Sequence, residues 1–169
     1  AIPNFEPMAK DLVSVRLDSP SFADWREALT AALDRVGAES GDSDLRESAE
    51  LQAELLDFYG VQATSRFLEL ASPRMRAHVL EAGAGEPVVI FHGGDGEAVN
   101  WAPLMGRLQQ YAHVYAVDRP GFGLSDPFDY RHVDIRAHAG DFVTSLLDAL
   151  GLESATLIGG SMGGFFVLA

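Results

Sequence analysis

Apolar residues recur along this chain with two different periods, and the change between them comes near residue 63. Before it the spacing is helical. Phe22, Trp25, Leu29, Leu33 and Val36 follow Ser19-Pro20-Ser21 at steps of three or four, Asp24 stands three after Ser21 as in a capping box, and Gly37 supplies a stop. A polar break, Glu39-Ser40-Gly41-Asp42-Ser43, leads to a second run with Leu45, Ala49, Leu55, Leu56 and Tyr59, closed by Gly60. The pattern predicts a pair of amphipathic helices, and so an N-terminal helical extension over residues 1–62.

From Ala63 onward, strand signals alternate with helical ones. Arg66-Phe67-Leu68-Glu69-Leu70 and Ala77-His78-Val79-Leu80-Glu81, separated by Ser72-Pro73, predict an antiparallel pair. Gly83 and Gly85 turn the chain into Val88-Val89-Ile90-Phe91, an unbroken apolar run suited to a strand covered on both faces. A helix is expected from about Asn100, carrying Trp101, Leu104 and Leu108, followed by a strand at Val114-Tyr115-Ala116-Val117 that ends at Asp118. Ile135, Phe142, Val143, Leu146 and Leu150 then share one helical face, which Gly151 terminates, and Ala155-Thr156-Leu157-Ile158 forms the last strand. A β-α-β-α-β-α alternation of this kind predicts an α/β domain over 63–169, a mostly parallel sheet with helices on both faces.

The 169 residues, 47% of them hydrophobic, suffice for one ordinary core. Cysteine is absent, which excludes disulfides and thiolate metal sites and leaves the cytoplasm as the expected compartment. Ala1-Ile2-Pro3-Asn4-Phe5-Glu6-Pro7 lacks the basic flank and apolar run of a signal peptide, and no later stretch is long enough to cross a bilayer, so no membrane association is expected. A formal net charge of −13 argues against nucleic acid or an anionic membrane surface as partner. The thirteen acidic and five basic residues up to Gln62 read as a solvated helical surface.

The chemistry concentrates where strands end. Leu157-Ile158-Gly159-Gly160-Ser161-Met162-Gly163-Gly164 drives an apolar strand into a serine with glycine at both second neighbours, the G-x-S-x-G pattern of a nucleophile elbow. Ser161 must then occupy a tight strand-to-helix turn, where a side chain at 159 or 163 would strike neighbouring backbone. The same turn directs the amide N–H of Met162 at the place where a carbonyl oxygen would become negative during attack. After the apolar strand comes Phe91-His92-Gly93-Gly94-Asp95-Gly96; with no Lys-Ser/Thr pair and no G-x-G-x-x-G spacing, it fits a phosphate loop badly. Beside a serine elbow it reads as the second half of an oxyanion hole, supplying the N–H of Gly94 or, as the less favoured choice, of Asp95. No cofactor and no metal are expected.

Taken in order, His92-Gly93-Gly94, Asp118-Arg119-Pro120-Gly121-Phe122-Gly123-Leu124-Ser125 and Gly160-Ser161-Met162-Gly163-Gly164 resemble the α/β-hydrolase fold family, serine-nucleophile branch. Each segment stands at the C-terminal end of a predicted strand, where open α/β sheets place their ligands. The resemblance spans roughly Arg66 to Ala169 and implies the N-terminal half of such a domain, truncated after the elbow. In that family the acid and the histidine follow the serine, whereas nothing after Ser161 here is ionisable. The resemblance therefore implies a C-terminal half of the same protein as the source of the base. It also implies that His92 shapes the oxyanion loop and is not the base. Asp118 is read as bracing its own loop, and Asp95 and Asn100 as loop and helix-cap residues.

Haloalkane dehalogenases and epoxide hydrolases of this fold carry aspartate at the nucleophile position, so Ser161 argues against both. Esterases, lactonases, cofactor-free perhydrolases and C–C bond hydrolases acting on diketones remain, and Gly160 is expected to leave extra room beside the nucleophile. The resulting expectation is a serine hydrolase acting through an acyl-enzyme on a small-molecule carbonyl substrate. The alternatives are a non-catalytic ligand-binding protein of the same fold, and a perhydrolase or lyase on the same framework.

Overall fold

The computed structural model describes residues 43–169, so the helical run predicted between Ser19 and Gly37 lies outside them. The order is helix α1 (Ser43–Phe58), strands β1 (Ala63–Ala71), β2 (Arg74–Gly83) and β3 (Glu86–Phe91), a 3-10 turn at Ala98–Trp101 running into α2 (Ala102–Leu108), β4 (Ala112–Val117), α3 (Ile135–Leu150), β5 (Thr156–Gly159) and α4 (Met162–Leu168). Five strands form one mixed sheet in the order β1-β2-β4-β3-β5. The β1–β2 hairpin and the β2–β4 pair are antiparallel, while β3 runs parallel to both β4 and β5.

Side-chain alternation along the strands builds two cores. Val89, Phe91, Tyr115, Val117, Ala77 and Val79 face α3 and α4, meeting Phe142, Leu146 and Phe166. Ile90, Val114, Ala116, Leu80 and Ala82 face the other way, meeting Met105, Ala98, Ala102 and Leu56. Because β3 is covered on both sides it has no polar face to alternate, which is why its sequence is a continuous apolar run. Phe142 shows what this burial is worth: it is fully enclosed, with edge-on ring contacts to Phe91 at 6.4 Å and Phe166 at 5.9 Å. Phe142→Ala should lower the unfolding free energy by about 3–5 kcal/mol, read as a shift in urea midpoint at unchanged slope.

α1 departs from the expected apolar stripe. Ala49, Ala53 and Leu56, at steps of four and three, are buried, whereas Leu55 is 42% exposed. The buried stripe runs through Ala49, Gln52, Ala53 and Leu56, and Leu55 falls beyond its edge. Leu56 joins the same cluster as Ala63, Leu80 and Met105, so α1 contributes to the core beneath the sheet. α3 begins at Asp134, whose carboxylate accepts the N–H groups of Arg136 and Ala137, and ends where Gly151 adopts left-handed backbone at φ 70°.

Register then sets the site. Phe91 lies opposite both Val117 and Gly159, so the three parallel strands end in one row. His92, Asp118 and Gly160 are the next residues, and all three strand-end segments named in the sequence emerge side by side, roughly one strand spacing of about 4.8 Å apart.

Candidate active site

Ser161 sits between β5 and α4 with φ 52° and ψ −115°, a backbone conformation that costs a non-glycine residue of order 1–3 kcal/mol. The turn is held by Gly160 N–H donating to Phe91 O at 3.3 Å and Gly163 N–H donating to Gly160 O at 2.9 Å. Both flanking glycines are required by contact. A Cβ on Gly163 would land on the carbonyl oxygens of Phe91 and His92, the latter at 2.6 Å, and one on Gly159 would strike the Gly163 carbonyl and the Gly164 nitrogen. The serine is solvent-exposed and its side chain makes no capping bond to α4, so Oγ is uncommitted at the mouth of the turn.

The His92-Gly93-Gly94 loop lies directly against this elbow: a Cβ on Gly93 would sit 3.6 Å from Ser161 Cβ and 3.4 Å from Gly160 O. Gly94 and Asp95 are exposed, and a Cβ on Gly94 would meet nothing within 4 Å. The structure thus sets the Gly93-Gly94 loop against the elbow that carries Ser161 and Met162. Asn100 does cap, its Oδ1 accepting the N–H of Glu97 at 2.6 Å. The room expected beside Gly160 is taken. The indole edge of Trp101 would be 3.2 Å from a Cβ there, so the missing side chain accommodates Trp101 and no free pocket.

Among the described residues no histidine serves Ser161. His92 is buried, donates from Nδ1 to Gly93 O at 2.8 Å and accepts the Arg119 N–H on Nε2 at 3.0 Å. Burial pushes its pKa down and, helped by the Arg119 charge, outweighs the hydrogen bond to Gly93 O, so it stays a neutral brace of the loop. His113 pairs with Glu81 and Tyr115, and His132 is exposed at φ 63°. His138 stacks on Phe128 at 4.3 Å, with Tyr130 and Phe166 edge-on to it; burial lowers its pKa, and its Nε2 has no partner.

His78 is tied to Asp118, a pairing invisible in the sequence because forty positions separate them. Asp118 is 1% exposed and has three donors: His78 Nδ1 at 2.7 Å and Leu124 N–H at 3.0 Å on Oδ2, and Ala98 N–H at 2.6 Å on Oδ1. Burial alone would raise its pKa. The His78 hydrogen bond and charge, with the two backbone donors, outweigh burial and hold it below the usual carboxylate value. His78 Nε2 in turn meets Ser65 Oγ at 2.8 Å, and Ser125 Oγ bridges His78 N–H and Asp118 O. The carboxylate therefore joins β2, the loop before α2 and the loop after β4, the bracing role expected of it.

Arg119 is the second feature that sequence reading missed. It is 2% exposed, yet among the described residues it has no carboxylate partner. Its Nε donates to His92 O at 3.1 Å and its Nη2 to Gly93 O at 2.6 Å, while its charge lies over the rings of Phe122 and Phe166 at 4.5 and 5.1 Å.

A strained serine between strand and helix, faced by a glycine loop at the carboxyl ends of parallel strands, defines an α/β protein of hydrolase type. Residues 86–169 match the family described as the alpha/beta hydrolase fold, and the chain belongs to that family. It is 34% identical over 110 residues to a 2-hydroxy-6-oxo-6-phenylhexa-2,4-dienoate hydrolase of Burkholderia cepacia, a match covering 60% of this chain and 37% of that protein. It is also 34% identical over 92 residues to the pimeloyl-[acyl-carrier protein] methyl ester esterase of Legionella pneumophila, covering 54% of this chain and 34% of that one. The fold superposes on naproxen esterase from Bacillus subtilis with TM-score 0.64 and 23% identity, over 73% of this chain and 42% of that structure. The chain thus spans little more than a third of the length of these two curated relatives. Among the described residues no helix is long and apolar enough to cross a membrane.

Proposed function

We propose that the protein is a serine hydrolase that attacks a carbonyl carbon, in a carboxylic ester, a lactone or the C–C bond of a diketone, through an acyl-enzyme. The observation that carries this reading is the backbone of Ser161: a positive φ at a turn packed against Gly93, with a side chain that makes no capping bond. Ser161 Oγ bonds to the carbonyl carbon as its proton passes to a histidine, and the oxyanion is held by the N–H groups of Met162 and Gly94. Collapse of that intermediate breaks the bond to the leaving group, which takes the proton, and water then releases the acid and restores Ser161. The histidine and its acid are proposed to come from the part of the fold that the relatives carry in the rest of their length. A relative named as the hydrolase of a 6-oxo dienoate and one named as a methyl ester esterase both support carbonyl substrates.

The direct test is a fluorophosphonate probe on the folded whole protein, with mass spectrometry to locate the adduct. Modification of Ser161, absent in Ser161→Ala, is the expected result. An unmodified Ser161 in folded wild-type protein would refute the reading and favour a ligand-binding member of the fold. Gly94→Pro deletes the proposed second donor and should lower kcat for p-nitrophenyl acetate by about 10²-fold while leaving adduct formation site-specific.

A further inference from the structure

A charge buried without a counter-charge is expensive, and among the described residues Arg119 has no carboxylate partner. Its guanidinium hydrogen bonds all end on the loop that faces Ser161. They go to the main-chain oxygens of His92 and Gly93, with Gly94 O 3.5 Å away, and one of the two rings beneath the guanidinium is Phe166 on the nucleophile helix. The shortest of these contacts falls on Gly93 O, which also receives His92 Nδ1 at 2.8 Å. That oxygen belongs to the same peptide group as the Gly94 N–H. In a trans peptide the C=O and N–H point in opposite directions, so an oxygen pinned inward on Arg119 sends the Gly94 N–H outward, to the side left open at Gly94. A charge-assisted bond on the oxygen also polarises the peptide group and strengthens its N–H as a donor.

We propose that Arg119 is a positioning residue for the oxyanion site: its buried guanidinium fixes and polarises the Gly93–Gly94 peptide and couples that loop to the nucleophile helix through Phe166. This rests on the reading of Ser161 and Gly94 given above. It explains why a full positive charge is kept where an apolar side chain would fill the same volume at less cost. It also distinguishes Arg119 from its neighbour Asp118, whose hydrogen bonds brace the scaffold and do not end on an oxyanion donor.

The test compares wild type, Arg119→Lys and Arg119→Met in the whole protein, with rates normalised to active sites titrated by the fluorophosphonate. Three quantities are read: kcat and KM for p-nitrophenyl acetate, Ki for a trifluoromethyl ketone that forms an oxyanion on Ser161, and the amide proton shift of Gly94. Arg119→Met should lower kcat by about 10- to 100-fold with KM within about threefold, raise Ki for the ketone in parallel with the loss in kcat/KM, and move the Gly94 amide upfield. Arg119→Lys keeps the charge but loses the fork, and should fall between the two. If Arg119→Met does not fold, Arg119→Lys decides alone through the same three readings. A kcat per titrated site within about twofold of wild type, with the Gly94 amide unmoved, would overturn the proposal. Turnover by Ser161→Ala, or a wild-type protein that ignores the ketone, would instead overturn the hydrolase reading, and the Gly94 shift separates that failure from a failure of the Arg119 linkage.

Discussion

Ser161→Gly should abolish turnover and at the same time make the protein more stable. Serine at φ 52° and ψ −115° holds strain of order 1–3 kcal/mol, and glycine adopts such backbone freely. The gain is reduced by the larger chain entropy that glycine loses on folding, roughly 0.5–1 kcal/mol, so a net rise of about 1 kcal/mol in unfolding free energy is expected. No packing is lost in exchange, because Ser161 is exposed and makes no capping bond. Activity should fall by about 10⁴-fold or more, as when the nucleophile of a catalytic triad is removed. Ser161→Ala supplies the control: it loses the same hydroxyl but keeps the strained Cβ, so it should be equally inactive and close to wild type in stability. Ester turnover together with urea unfolding of the three proteins checks both halves. A Ser161→Gly protein less stable than Ser161→Ala would mean that the elbow is not strained at this residue.

That opposition between stability and activity also explains why the elbow was legible in the sequence. Glycine at 159 and 163 is demanded by contacts within a short stretch of chain and the strand beside it, and such demands leave a mark in local sequence. The same holds for the apolar run of β3, for Asp134 as helix cap and for Gly151 as helix stop. What could not be read locally is what the strand order brings together. His78 and Asp118 meet because β2 runs antiparallel to β4 in a register that sets Val79 opposite Val117, and neither segment carries a trace of the other. Arg119 was named only as part of the Asp118–Ser125 segment; its burial follows from Phe122 in its own loop, Phe166 on α4 and the carbonyls of the loop after β3 closing around it. Trp101 is similar, since its packing against Gly160 depends on how the turn before α2 leans over the end of β5. Leu55 entered the predicted run of α1 on hydrophobicity alone, whereas Ala49, Gln52, Ala53 and Leu56 make the buried face.

Asp118→Asn should behave as the reverse of Ser161→Gly, losing stability while keeping most of its catalytic rate. The carboxylate accepts from three donors, and an amide of the same shape cannot. Its NH2 group must face either the Ala98 N–H, or the pair formed by His78 Nδ1 and the Leu124 N–H, so at least one buried donor is left against another. Leaving a buried donor unpaired and removing the charge opposite His78 should together cost about 3 kcal/mol at neutral pH. The pH dependence follows from the direction of the shift. Asp118 titrates below the ordinary carboxylate value when folded, so in wild type its contribution is complete above the unfolded pKa and is lost as pH falls through the folded one. The stability gap between wild type and Asp118→Asn should therefore be widest from neutral pH down to the unfolded carboxylate pKa, and should close under more acidic conditions, when the wild-type carboxyl also becomes protonated. Urea midpoints of both proteins across that range give the measurement, with kcat for p-nitrophenyl acetate taken at neutral pH on the folded fraction. Because Asp118 braces Ala98 and Leu124 and not the Gly93–Gly94 peptide, kcat should stay within about threefold of wild type. A collapse of kcat matching that of Ser161→Ala, at an unchanged melting temperature, would move Asp118 from the scaffold into the reaction and make the His78–Asp118 pair part of the chemistry.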